Sequence, residues 1–167
     1  MLKLVLALLL TLSVSLNTDL KKIRDLYMQM SRDEESAIAL KNLVKNNQTI
    51  SLTLRQAYSA AAEMALAKYK TNPITRLNTF NSGKKLLESL IKSDSSIFEI
   101  RYIRFTIQQN APSFLGYTTE LGRDRAFLIT HLKFTKAEDP DLFSYTYAYL
   151  ITHASLGSKE LKLINSY

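Results

Sequence analysis

Arg101, Arg104 and Gln108 recur at helical spacing in 99-EIRYIRFTIQQNAPSFLGY-117, so all three fall on one side of one helix. Guanidinium groups stay charged at any physiological pH and present planar donors that fit a carboxylate or a phosphate. A carboxamide one turn further on adds a donor and an acceptor, and Tyr117, in the aromatic tail after Pro112, supplies a phenol. Arg101, Arg104, Gln108 and Tyr117 are therefore the candidate binding set, suited to a small anionic ligand. The same residues also allow internal pairing with Glu63, Glu88 or Glu120, or guanidinium heads left in solvent.

Other chemistry is sparser. The two histidines stand in the same word, 128-LITH-131 and 150-LITH-153, which invites a metal site. Zinc asks for three or four protein ligands. The chain has no cysteine and no HExxH spacing, so no metal and no cofactor are expected. No GxSxG elbow is present, and 82-SGKK-85 lacks the upstream glycine of a phosphate loop. The motifs nominate no catalytic residue and point away from an enzyme.

The elements that position these residues read as helices. Leu20, Ile23, Tyr27 and Met30 keep helical spacing, and 31-SRDE-34 spells a capping box for a second helix ending near Asn46. The segment 51-SLTLRQAYSAAAEMALAKYK-70 is rich in strong helix formers, and its alanines permit close approach of a neighbour. Asn72-Pro73 breaks that helix and opens the next, which carries Gly83 in its interior. In the fifth helix Ile100, Ile103 and Ile107 form one apolar stripe, with Phe98, Tyr102 and Phe105 nearly opposite. A helix apolar on two sides is expected to lie between neighbours. Pro112 ends it, and the tail Phe114-Leu115-Gly116-Tyr117 is expected to fold its aromatics over the core. A sixth helix is expected over roughly 118–136 and a seventh from Asp139-Pro140, with Ser158 capping a short terminal one. Phe143, Tyr145, Tyr147 and Tyr149 alternate like a strand, yet they also satisfy i,i+4. A lone strand would lack a partner, so helix is expected there.

The region 80-FNSGKKLLESLIKSDSSIFEIRYIR-104 resembles the second helix of a tetratricopeptide unit and the start of the next. Gly83, Leu87 and Leu90 stand where that repeat places its small and large packing residues. Ser95 replaces the proline of the turn, and Arg101 and Arg104 occupy two positions of the following signature. The likeness covers about one helix-turn-helix and implies antiparallel helical hairpins; no 34-residue period extends it. The layout is also similar to small exported helical proteins of the Bacteroidota, which implies a fold and a compartment but no activity. The expected architecture is all-α, about seven helices in antiparallel hairpins, a tetratricopeptide-like or bundle domain over 16–167.

The first fifteen residues read as a cleaved signal peptide, with Lys3, an apolar run from Leu4 to Leu12, and small residues Ser13 and Ser15 before the cut. The apolar run is shorter than the ~20 residues needed to span a bilayer. Export to the periplasm or beyond is expected, with no membrane span after cleavage and no nucleic-acid partner. The net charge of +7 is interspersed and forms no basic block. It suits solubility, an anionic ligand, a membrane surface or an acidic protein. Two functions follow: an interaction or scaffolding module for an envelope or extracellular protein, or a binding protein for an anionic ligand or lipid beside Arg101 and Arg104.

Overall fold

The computed structural model describes residues 18–167, and the expected signal peptide lies outside them. The described chain is all-α. Helix α1 covers 18–29. It is followed by α2 (Glu34–Asn46), α3 (Leu52–Leu66), α4 (Pro73–Ser93), α5 (Phe98–Asn110), α6 (Leu121–Glu138), α7 (Pro140–His153) and α8 (Ser158–Asn165). Single 3-10 turns stand at Ala67–Tyr69 and Ser113–Leu115. No helix among the described residues is long and apolar enough to cross a membrane.

Local chemistry sets most boundaries. The cap of α2 is Asp33 rather than the Ser31 of the expected box: its carboxylate accepts from the Ser36 backbone N–H at 2.6 Å and from the Ser36 hydroxyl at 3.0 Å. A carboxylate at the positive end of a helix is the stronger acceptor. The displaced Ser31 instead offers its carbonyl to Lys68. Ser51 caps α3, Asn72 accepts from Ile74 and Thr75 at the start of α4, and Asp139 caps α7. At α8 the cap residue is Gly157, not Ser158. Its backbone N–H is taken by the Glu160 carboxylate. Ala111 is extended, as a residue before proline must be, and α5 stops at Asn110.

The helices gather into two compact units, one ending at Ser89 and one spanning Leu90–Tyr167. In the first, α2 packs on α3, and α4 approaches α3 at Gly83. A Cβ there would stand 2.5 Å from the Ala60 carbonyl oxygen and 2.6 Å from Met64 Cγ, so glycine is required by the contact itself. In the second, α6 packs on α5, α7 and α8, and α5 also touches α7. The alternating aromatics of 143–151 lie on helix α7, where Phe143 stacks on Tyr147 one turn later.

Candidate functional site

Helix α5 is buried on nearly every side. Ile100, Ile103 and Phe105 are fully buried, and so, nearly, are Glu99, Tyr102, Arg104, Thr106 and Gln108. The two-sided apolar pattern produces this directly, since each stripe needs a neighbour. The polar residues between the stripes are carried into the interior with them, and each must be satisfied there or cost free energy.

Arg101 and Arg104 meet on a single acid, Asp124, in the first turns of α6. Arg101 Nε donates to Asp124 Oδ1 at 2.7 Å, Arg104 Nε to Oδ2 at 2.6 Å, and Arg104 Nη2 to Oδ1 at 2.9 Å. The Asp124 side chain is fully buried, and the Arg101 and Arg104 side chains are only 14% and 6% exposed. Arg101 spends its remaining reach on the carbonyls of Ser95 and Arg123 and lies 4.2 Å over the Phe127 ring. The expected acidic partners were Glu63, Glu88 and Glu120. Of these, Glu63 pairs with Lys41 and Glu120 with Arg123.

Asp124 was legible, although charge alone hides it. In 123-RDR-125 it reads as locally neutralised. Its place on the wheel says otherwise: Asp124, Leu128, Leu132 and Thr135 form one stripe at helical spacing, and all four are buried. An acid at the head of an apolar stripe must meet cations from another helix. The cluster ties α5 to α6, and an anionic ligand would have to displace a buried carboxylate to use either arginine.

The other candidates part company. Gln108, one turn beyond Arg104, is 1% exposed, and neither its amide nitrogen nor its amide oxygen has a hydrogen-bond partner. Tyr117 is buried, as expected of the tail, but Phe114 beside it is 81% exposed and covers nothing. The sharp turn at Gly116, with φ of +57°, separates their directions. At the far end of α5, Asn110 donates to Thr106 O and to the Tyr149 hydroxyl, both at 2.7 Å. Burial holds the Tyr149 phenol above its ordinary ionisation range, partly offset by the Asn110 amide.

The repeated LITH words extend to 126-AFLITH-131 and 148-AYLITH-153 and do the same local work. Each histidine stacks on the aromatic four residues earlier, His131 on Phe127 at 4.1 Å and His153 on Tyr149 at 4.6 Å. Each threonine hydroxyl donates to an alanine carbonyl one turn back, and each leucine is fully buried. His131 Nδ1 faces the Phe127 carbonyl at 2.8 Å, which can only accept, so Nδ1 carries the proton. Among the described residues no group of three or more histidine, cysteine or acidic side chains could hold a metal ion. No protein-family model, no curated protein and no solved structure matches the chain.

Proposed function

We propose that the chain is a helical interaction module that receives an acidic, amphipathic segment of a partner protein on the outward face of α4. The observation that supports this is a pair of large apolar side chains held in solvent: Ile74 is 72% and Leu77 47% exposed, three residues apart on one helix face. Residues 71–78 are exposed throughout, so the first two turns of α4 stand clear of their own unit. Further along, Lys84 and Lys85 flank the same face. Residues 18–89 carry twelve lysines and arginines against seven acids, which favours an acidic partner. Helical hairpins of the tetratricopeptide kind present such faces to peptides and helices. With a cleaved leader, the partner would be an envelope or extracellular protein.

A pocket for an anionic ligand beside Arg101 and Arg104 lacks comparable support, because both guanidinium groups already bond Asp124.

The test places a photo-crosslinking amino acid at position 77 of the full chain, with position 151 as the control. Ile151 is also exposed, at 44%, but lies on α7. Capture of an acidic protein from position 77 alone, lost in Ile74→Asp and in Lys84→Glu/Lys85→Glu, is the expected result. Equal capture from both positions, or capture indifferent to those changes, would sink the reading.

A further inference from the structure

In 154-ASLGSKELKLINSY-167 a serine stands where a glycine would cost less. Among the described residues, Ser155 is the only non-glycine with a left-handed backbone, at φ of +47°. That conformation is strained for a residue with a side chain, and glycine or asparagine usually takes it after a helix. The turn over 154–157 folds α8 back, and α8 packs on α6. Glu160 of α8 meets Arg125 at 3.3 Å. Just past the helix, the Tyr167 hydroxyl donates to the Ile129 carbonyl at 3.1 Å, and Lys136 donates to the Tyr167 carbonyl. Arg125, Ile129 and Lys136 form one stripe of α6 at helical spacing. From α7 the Tyr147 hydroxyl donates to Asn165 at 2.9 Å. Ile164 supplies the buried apolar contact. The Arg125 and Glu160 side chains are 37% and 30% exposed, and an ion pair so exposed holds weakly.

We infer that α8 exchanges between two copies of this chain, each docking its α8 on the α6 stripe of the other. The closed turn holds strain at Ser155. Opening the turn releases that strain, and in an exchanged pair it is released twice. A helix of eight residues does not persist alone in water. Once off its own α6, α8 therefore stays helical only on an equivalent stripe. A second copy offers that stripe in the same order, with Arg125 to meet Glu160, then Ile129 and Lys136 to meet Tyr167. Exchange thus keeps the contacts of α8 and removes the strained turn. Short hinges under strain favour this rearrangement. Arg125 also donates to the Ala154 carbonyl at 3.3 Å, a bond on the near side of Ser155 that exchange leaves in place. The division between what stays and what leaves falls at Ser155. The opposing cost is the freedom lost on joining two molecules, so the exchanged form grows with concentration.

The experiment mixes two variants of the full chain at high concentration. Arg125→Glu sets two carboxylates face to face, and Glu160→Arg sets two guanidinium groups face to face. Each variant alone is mismatched whether closed or exchanged, whereas an exchanged pair with one of each restores both contacts. Native mass spectrometry should show a 1:1 heterodimer in the mixture and monomer in either variant alone. Both positions are partly exposed, so each variant should keep the wild-type circular dichroism. Ser155→Gly in both chains relaxes the closed turn and should weaken the heterodimer about tenfold or more, since two hinges are relieved. The chain has no cysteine, so a short bismaleimide should join Arg125→Cys to Glu160→Cys across two chains. Three results would overturn the inference: monomer in the mixture, even with α8 open to amide exchange; a heterodimer whose cysteine counterparts do not crosslink; or a heterodimer indifferent to Ser155→Gly.

Discussion

In the unit that ends at Ser89, helices meet over Ala57, Ala60, Ala61 and Gly83, all buried. In Leu90–Tyr167 they meet over Tyr102, Phe105, Tyr149 and the Arg101–Asp124–Arg104 cluster. The contrast runs through composition: twelve of the sixteen aromatics lie in 90–167, whereas the first region carries most of the net positive charge. Small residues bring backbones together and gain dispersion contacts without side-chain entropy cost. Aromatic residues keep helices further apart and leave polar groups trapped between them, which must then be paired. Twice, Tyr149 meets a neighbouring ring edge-on, at 6.0 Å from both Tyr102 and Phe105. One region therefore depends on the absence of atoms, and the other on a buried ion cluster between its helices.

The largest effect should follow from breaking that cluster. Asp124→Asn keeps the shape but leaves two guanidinium groups without their counter-charge in the interior. Removing one partner of a buried ion pair costs about 3–5 kcal/mol. Urea unfolding should show the loss, and amide exchange should place it in α5 and α6. A cost under about 1 kcal/mol would mean that the cluster is solvated rather than structural.

Next comes the opposite failure, an added atom. Gly83→Ala puts a methyl group against the Ala60 carbonyl, which belongs to the backbone and cannot swing away. Overpacking costs about 1–3 kcal/mol, reduced by the ~1 kcal/mol that alanine gains over glycine inside a helix. Exchange protection should fall in α3 and α4. A stabilised variant would show that the helices have room to part there.

A smaller effect attends Tyr149→Phe, which removes the hydroxyl that Asn110 donates to. Asn110 keeps its bond to Thr106, so the cost should be about 1 kcal/mol. The wild-type phenol is held above its ordinary range. A raised folded-state pKa gives stability that is whole below the unfolded value, near 10, and is lost as pH rises through the folded one. Tyr149→Phe should remove one late-ionising phenol from the ultraviolet titration.

The sequence shows the helices of both regions more clearly than their contacts. Alternation at 143–151 yields to i,i+4 spacing because Phe143 and Tyr147 stack within a helix, and Pro112 ends α5 through the conformation it imposes on Ala111. The alanines and Gly83 announce a close approach, although nothing local says which helix approaches. Arg101 and Arg104 announce a seam, while their partner lies 23 and 20 residues away, between two arginines that disguise it. Long-range pairing is read from burial, and burial from the wheel of the other helix.

The finest comparison sets two matched acids against each other, one in each region. Asp33 and Asp94 each accept a backbone N–H and a hydroxyl from a serine, Ser36 and Ser96 respectively. Those bonds hold both carboxyls below the ordinary range, for Asp33 chiefly the backbone N–H and for Asp94 chiefly the hydroxyl. A depressed folded-state pKa gives stability that is present above the unfolded value, near 3.9, and is lost as pH falls through the folded one. Both should therefore contribute only to the acid limb. They differ in what they hold. Asp33 is the cap of a thirteen-residue helix, so its loss frees the whole first turn of α2. Asp94 closes only a turn ahead of α5, which begins without a side-chain cap. Asp33→Ala should flatten the acid dependence of melting temperature and expose the amides of 34–37 to exchange, while Asp94→Ala should flatten it without fraying α5. Fraying of α5 in Asp94→Ala would show that the aromatic region also relies on a polar device at its helix starts, and the contrast between the two regions would narrow to their interiors.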